Sequence, residues 1–279
     1  MQLKEYQRQC LSQLQEFAKA VVQHSDAGVA YYQQTRSAYQ EVPQLPQLPY
    51  VCLRVPTGGG KTILGACAVG LLTTEYLRAS HSLVLWLAPS DTIVQQTLQA
   101  LRDRNHPYRL ALEQGLQGAP LEVMDLSQAL YLTRGALDGA TTVLVSTIQA
   151  LRVDDTSGRK VYENNGSLMS HFSGLPESVQ ENLEKDSAGN LAFSLANVLR
   201  LRRPLVIMDE AHNARTPLSF ETLTRFAPSF VLELTATPSL VHAPSKGLFA
   251  SNVLVSISAL ALKQANMIKM PIQIGRAHV

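Results

Sequence analysis

Long apolar runs, paired cysteines and an excess of either charge are all missing from this chain, and each absence removes a class of protein. The longest apolar run, ILGACAVGLL over residues 63–72, is too short to span a bilayer. The N-terminus, MQLKEYQRQC, is polar from its second residue, so no signal peptide and no membrane partner are expected. Cys10, Cys52 and Cys67 are odd in number and lack C-x-x-C spacing. That argues for free buried thiols in a reducing cytoplasm rather than a disulfide framework. His24, His81, His106 and His171 are scattered without ligand spacing, which leaves no zinc site to expect. With 24 Lys+Arg against 22 Asp+Glu the net charge is +2, so bulk charge gives no case for nucleic-acid binding. A local basic groove would have to supply it. The small clusters Arg102, Arg104, Arg109 and Arg200, Arg202, Arg203 read first as solvated faces.

What is present is the material of a large core: 279 residues, 46% hydrophobic and 16% charged. Residues 3–22 place Leu3, Tyr6, Cys10, Leu11, Leu14, Phe17, Ala18 and Val21 at spacings of three and four, which predicts an amphipathic helix. Residues 25–40 read as more helix, and the proline-rich EVPQLPQLPY as an extended lead-in to a strand. Apolar runs then recur at 50–55, 82–88, 121–126, 141–147, 204–209 and 229–235, separated by helix-length stretches. Runs apolar on both faces with helices between them predict an α/β fold, a mostly parallel sheet covered on both sides. Residues 153–190, rich in Asp, Ser, Gly and Asn, read as a surface insertion with one short helix.

Three stretches carry chemistry. VPTGGGKT, residues 55–62, places glycines in a strand-to-helix turn, where backbone N–H groups converge on an anion. Lys61 adds a point charge for phosphates and Thr62 a hydroxyl for Mg²⁺. The match to G-x-x-x-x-G-K-[ST] is incomplete, because Val55 stands at the first glycine; a plain glycine-rich turn is the competing reading. LVIMDEAHN, residues 205–213, ends a predicted strand in Asp209 and Glu210, at the edge where open α/β sheets place ligands. There one acid can hold Mg²⁺ and the other can activate water, although an isolated Asp-Glu pair can also be a solvated turn. LELTATP, residues 232–238, is a further strand ending in Thr235 and Thr237, whose hydroxyls can reach the acid pair and His212.

In this order the stretches resemble a superfamily 2 helicase of the DEAD/DEAH type: PTGGGKT as motif I, DEAH (Asp209 to His212) as motif II and TAT as motif III. The family often carries a small residue where Val55 stands, and valine is a mild departure. The resemblance implies a RecA-like P-loop NTPase domain that binds ATP and Mg²⁺. Thr57, Gly58, Gly59, Gly60, Lys61 and Thr62 would hold phosphate, with Thr62 and Asp209 on the metal. Glu210 would activate water, and His212, Thr235 and Thr237 would couple the site to DNA. LKEYQ resembles the family's adenine-recognising element, with Gln7 on the base, against the alternative of a solvated glutamine in an amphipathic helix. LAPSDTIVQQT and VSTIQAL look like motifs Ia and Ib, which would put Pro89, Ser90 and Thr147 along a nucleic-acid track; taken alone they are strand ends followed by helix caps.

DEAHN followed by ART, the insertion with GRKVYENNG and the close at NMIKMPI look most like the helicase subunit of type III restriction enzymes. That subfamily implies double-stranded DNA and a modification methyltransferase subunit as partners. On this reading 1–49 is an N-terminal helical segment, 50–260 a first RecA-like domain and 261–273 the start of a linker to a second. No motifs IV to VI and no nuclease signature follow. The last six residues, IGRAHV, would translate a widely used short-read sequencing adapter, so 274–279 are expected to be a non-native tail on a truncated reading frame. Two other functions stay open: a nucleotide-binding switch or adaptor that never translocates, and a small-metabolite P-loop kinase, which leaves DEAH and TAT unexplained.

Overall fold

The computed structural model describes residues 2–152, 160–210, 216–243 and 249–267. All six apolar runs form strands: β1 (Tyr50–Arg54), β2 (Leu83–Ala88), β3 (Leu121–Asp125), β4 (Thr141–Thr147), β5 (Leu205–Asp209) and β6 (Phe230–Thr235). A seventh, β7 (Val253–Ser256), joins beside β1 and has no counterpart in the expectations from sequence. The order is β3-β4-β2-β5-β6-β1-β7, and every pairing between these strands is parallel. Their carboxyl ends therefore share one edge, with β6 between β5 and β1.

The helices are α1 (Glu5–His24), α2 (Ala27–Thr35), α3 (Lys61–Leu71), α4 (Asp91–Arg102), α5 (Pro107–Gly115) and α6 (Leu126–Ala129). They continue with α7 (Arg134–Gly139), α8 (Ile148–Leu151), α9 (Glu177–Gln180), α10 (Leu195–Arg202), α11 (Pro217–Phe226) and α12 (Ala259–Gln264). Period-two alternation along the strands divides the core. Val51, Leu53, Trp86, Leu232 and Leu234 meet the buried stripe of α1 and α3 on one face. Tyr50, Leu85, Val206, Met208 and Val231 meet α10 and α11 on the other. Side chains such as Trp86, Phe17 and Phe230 are wholly buried, and each contributes about 2–3 kcal/mol through removal of apolar surface from water. The result is an α/β fold, an all-parallel sheet covered on both faces.

α1 packs inside the same core as β1, through Cys10, Leu14, Phe17 and Ala18. The described part of the segment read as a surface insertion is likewise not wholly superficial. It buries Val161, Tyr162, Leu168, Phe172 and Leu183, and forms a 3-10 turn (Gly166–Phe172) besides α9. Its polar composition hid five apolar anchors spaced too irregularly to show a period. Cys10 and Cys52 are buried and Cys67 is half-buried, and none of the three is in a disulfide. Among the described residues no helix is long and apolar enough to cross a membrane, and no cluster of metal-ligating side chains occurs. Residues 153–159, His212, the end of the expected linker (268–273) and the expected tail (274–279) lie outside the described residues.

Candidate active site

β1 delivers the chain to the carboxyl edge, where residues 56–60 turn into α3. Gly59 N–H donates to Pro56 O at 3.0 Å, closing the turn. Gly58 and Gly60 take φ of +79° and +75°, a left-handed conformation that glycine adopts without a Cβ penalty. At Gly59 the constraint is space, since a Cβ there would lie 2.5 Å from Val55 Cγ1. The valine at the expected first glycine is thus fully buried and fills the room beneath the loop. Gly60 is the N-cap of α3 with no side-chain cap, so the first-turn N–H groups of a mostly buried helix stay available to an anion.

Lys61, the first residue of α3, is 8% exposed. Its Nζ lies 2.6 Å from Glu210 Oε1 and 3.5 Å from Val55 O. The next residue, Thr62, donates its hydroxyl to Asp209 Oδ2 at 3.1 Å. Two residues from the loop therefore meet two residues from the end of β5, across β6. Glu210 has φ of +54°, strained for a side-chain-bearing residue, and its N–H donates to Leu234 O at 2.9 Å, extending the β5–β6 ladder by one step. Burial pushes the Asp209 carboxyl up to about 6; the Glu210 charge adds to this, while the Thr62 hydrogen bond and Lys61 oppose it. The Thr62 hydroxyl and Asp209 carboxylate are hard oxygen donors, and their separation suits neighbouring ligands of an octahedral Mg²⁺, which lie about 3 Å apart.

The remaining predicted residues fall in three places. Thr57 and Gly58 are exposed on the loop. Gln7 is 4% exposed, so the solvated alternative is excluded. Its Oε1 accepts Lys4 N–H at 2.9 Å and its Nε2 donates to Gly59 O at 3.4 Å. Thr235 is buried beside the loop, where Val55 N–H donates to its carbonyl at 3.0 Å. Its Oγ1 accepts the N–H of exposed Thr237 at 3.1 Å. Pro89 and Ser90 follow β2 and Thr147 ends β4, with Ala88 and Thr147 in register. Both hydroxyls cap helices: Ser90 accepts Ile93 N–H at 3.4 Å, and Thr147, only 6% exposed, accepts Ala150 N–H at 3.2 Å. The arginine clusters are largely structural, with Arg202 paired to Asp138 at 2.7 Å, Arg109 paired to Glu113 at 2.7 Å, and Arg200 bonded to Thr224 O and Arg225 O at the end of α11.

Sequence reasoning passed over Tyr6, which it placed only in the apolar stripe of α1. Its Oη donates to Gly59 O at 2.8 Å, so a helix far away in sequence grips the loop. Helical periodicity cannot separate a tyrosine that packs from one that also donates.

A family model described as type III restriction enzyme, res subunit, matches residues 1–240. No curated protein sequence matches the chain. Among solved structures the chain is similar to a nuclease-deletion mutant of the type ISP restriction-modification enzyme LlaGI in complex with a DNA substrate mimic. The identity is 13% over 96% of this chain and 21% of that one, with a TM-score of 0.46. It is also similar to the Sulfolobus solfataricus SWI2/SNF2 ATPase core in complex with dsDNA (14% identity, 85% of this chain, 32% of that chain, TM-score 0.39). A third likeness is to the UvsW helicase from bacteriophage T4 (13% identity, 72% of this chain, 53% of that chain, TM-score 0.36). With TM-scores this low these likenesses add nothing to the family match. The chain spans about a fifth of the length of the LlaGI chain.

Proposed function

Because the chain belongs to the family of the type III restriction enzyme res subunit and carries a superfamily 2 helicase motor domain, we propose that it binds ATP at the 56–62 loop. In the full-length protein, hydrolysis there would be coupled to movement along double-stranded DNA. The observation that carries this reading is the meeting of Lys61 with Glu210 and of Thr62 with Asp209 at one sheet edge. Lys61 and the N–H groups at the start of α3 would hold the β- and γ-phosphates. Thr62 and Asp209 would hold Mg²⁺, which neutralises phosphate charge and fixes the leaving group when bound. Glu210 would orient and deprotonate the attacking water. Gln7 keeps one N–H and one oxygen lone pair for an adenine edge, beyond the bonds it already makes.

Thr235, on β6 between the two halves of the site, would relay changes at the phosphates toward Thr237, and His212 would share in that coupling. Pro89, Ser90 and Thr147 would line the DNA track at the ends of β2 and β4, where the capping hydroxyls of Ser90 and Thr147 accept N–H groups and keep their own O–H to donate to a phosphate. A modification methyltransferase as partner and a cytoplasmic location belong to the same reading. On this reading the second RecA-like domain and its arginine finger would belong to a longer parent protein. Alone, the chain is therefore expected to bind nucleotide weakly and turn it over slowly.

The test is ATP affinity and turnover with Mg²⁺, with and without duplex and single-stranded DNA, beside Lys61→Ala and Glu210→Gln. Binding abolished by Lys61→Ala, altered by DNA and accompanied by turnover near background supports the reading. Binding and fast turnover indifferent to DNA would overturn it in favour of a nucleotide switch.

A further inference from the structure

The Gly59 carbonyl is held from outside the loop by two side chains of one helical turn of α1. Tyr6 Oη donates to it at 2.8 Å, and Gln7 Nε2 at 3.4 Å. Tyr6 is 5% exposed and Gln7 4%, so neither bond competes with bulk water. The Gly59 carbonyl and the Gly60 N–H belong to one planar trans peptide, in which the two groups point in opposite directions. Fixing the oxygen toward α1 therefore turns the Gly60 N–H away from α1. Among the described residues that N–H has no acceptor. Without a restraint the peptide could rotate, because the flanking glycines tolerate many backbone conformations. A flipped peptide would aim a carbonyl, rather than a donor, at whatever anion occupies the loop.

We propose that Tyr6 is a positioning residue for phosphate: by gripping Gly59 O it locks the Gly59–Gly60 peptide with the Gly60 N–H facing bound phosphate. The proposal rests on the reading of the 56–62 loop as a nucleotide site. It adds a determinant that lies on a separate helix and touches no nucleotide. A phenol, protonated at neutral pH, suits this task because it donates to a carbonyl without bringing a charge near the anion. Gln7 plays the lesser part, since its bond is longer and its oxygen is committed to the N-terminus of α1.

The test compares the 279-residue chain with Tyr6→Phe, Gln7→Met and Lys61→Ala. The probes are Mg-ATP and Mg-pyrophosphate, the latter carrying phosphate but no base. Tyr6→Phe keeps the buried ring, and a melting temperature close to the parent's checks that the fold is intact. Loss of one buried neutral hydrogen bond should weaken both probes by about 3- to 10-fold. In ¹⁵N-glycine-labelled protein, the shift of the Gly60 amide on adding Mg-pyrophosphate should shrink in Tyr6→Phe. Gln7→Met should weaken pyrophosphate less than Tyr6→Phe does.

If Tyr6→Phe binds both probes like the parent while Lys61→Ala binds neither, the phosphate site stands and the positioning role of Tyr6 is overturned. If the parent binds neither probe, or Lys61→Ala binds as well as the parent, the loop is not a phosphate site and the inference falls with it. If Tyr6→Phe weakens ATP but not pyrophosphate, Tyr6 acts on the base and the peptide-locking account is wrong.

Discussion

Lys61 Nζ lies 2.6 Å from Glu210 Oε1, so the lysine of the glycine loop is neutralised by the acid that the proposed mechanism needs for water. A triphosphate entering the loop must draw Lys61 off Glu210. Glu210→Gln removes that competitor and the general base together. Nucleotide affinity should then be retained or rise by a few-fold while turnover drops to background. Lys61→Ala should weaken binding by at least about 10-fold, the loss of one charge-assisted contact. Titration calorimetry with ATP, beside phosphate release, separates the two; equal loss of affinity in both variants would contradict the competition.

Asp209 gives the protein a pH-dependent stability of unusual sign. Its carboxyl is raised from 3.8 to about 6 by burial, so the folded state binds a proton more tightly than the unfolded chain. Below about pH 4 both states are protonated and the residue is neutral toward folding. As pH rises from there to just above 6, ionising the buried acid progressively destabilises the fold, by at most about 3 kcal/mol. Asp209→Asn should therefore stabilise the metal-free protein at pH 7.5 and make little difference near pH 4. Urea unfolding midpoints at both pH values, measured with a chelator, would show it; a variant less stable than the parent at pH 7.5 would contradict the shift.

The sheet was legible because each strand is a continuous apolar run, and residues such as Val206 and Ile207 are buried on opposite faces. β7 was missed because VLVS is short and only its middle is buried. The meeting of the glycine loop with the acid pair was legible for a different reason, as the chemistry expected of them restricts which residues can serve. Lys61, Thr62, Asp209 and Glu210 could be named from type and spacing alone. Contacts between distant segments could not be read so. The grip of Tyr6 on Gly59 and the meeting of Tyr50 Oη with buried Glu233 at 2.7 Å depend on which strands become neighbours.

Val55 and Gly59 should behave as a coupled pair. A Cβ at Gly59 meets Val55 Cγ1 at 2.5 Å, with Pro56 O at 3.0 Å and Leu262 Cδ2 at 3.1 Å close behind. Gly59→Ala should destabilise by about 1–3 kcal/mol through overpacking. Val55→Ala removes the nearest obstruction, so the double variant should recover part of that loss, with a coupling of about 0.5 kcal/mol or more. Strict additivity in a double-mutant cycle would mean that Pro56 O and Leu262 set the limit instead.

Gly70 and Gly135 offer the sharpest contrast among the helical glycines. Gly70, on α3, faces the backbone of Gly115 at the end of α5, where an added Cβ would lie 2.3 Å from the Gly115 carbonyl carbon. Backbone cannot rotate aside as a side chain can, so Gly70→Ala must push α5 away from α3 or distort both. The expected cost is about 3 kcal/mol or more, at the upper end of overpacking. Gly135, in the first turn of α7, has nothing within 4 Å of an added Cβ. There alanine only restricts the unfolded chain and improves helix propensity, and Gly135→Ala should stabilise by about 0.4–1 kcal/mol. Opposite shifts in urea midpoint are the expected result. A Gly70→Ala protein as stable as the parent would show that α3 and α5 do not approach so closely, and would remove the packing that seats the helix carrying Lys61 and Thr62.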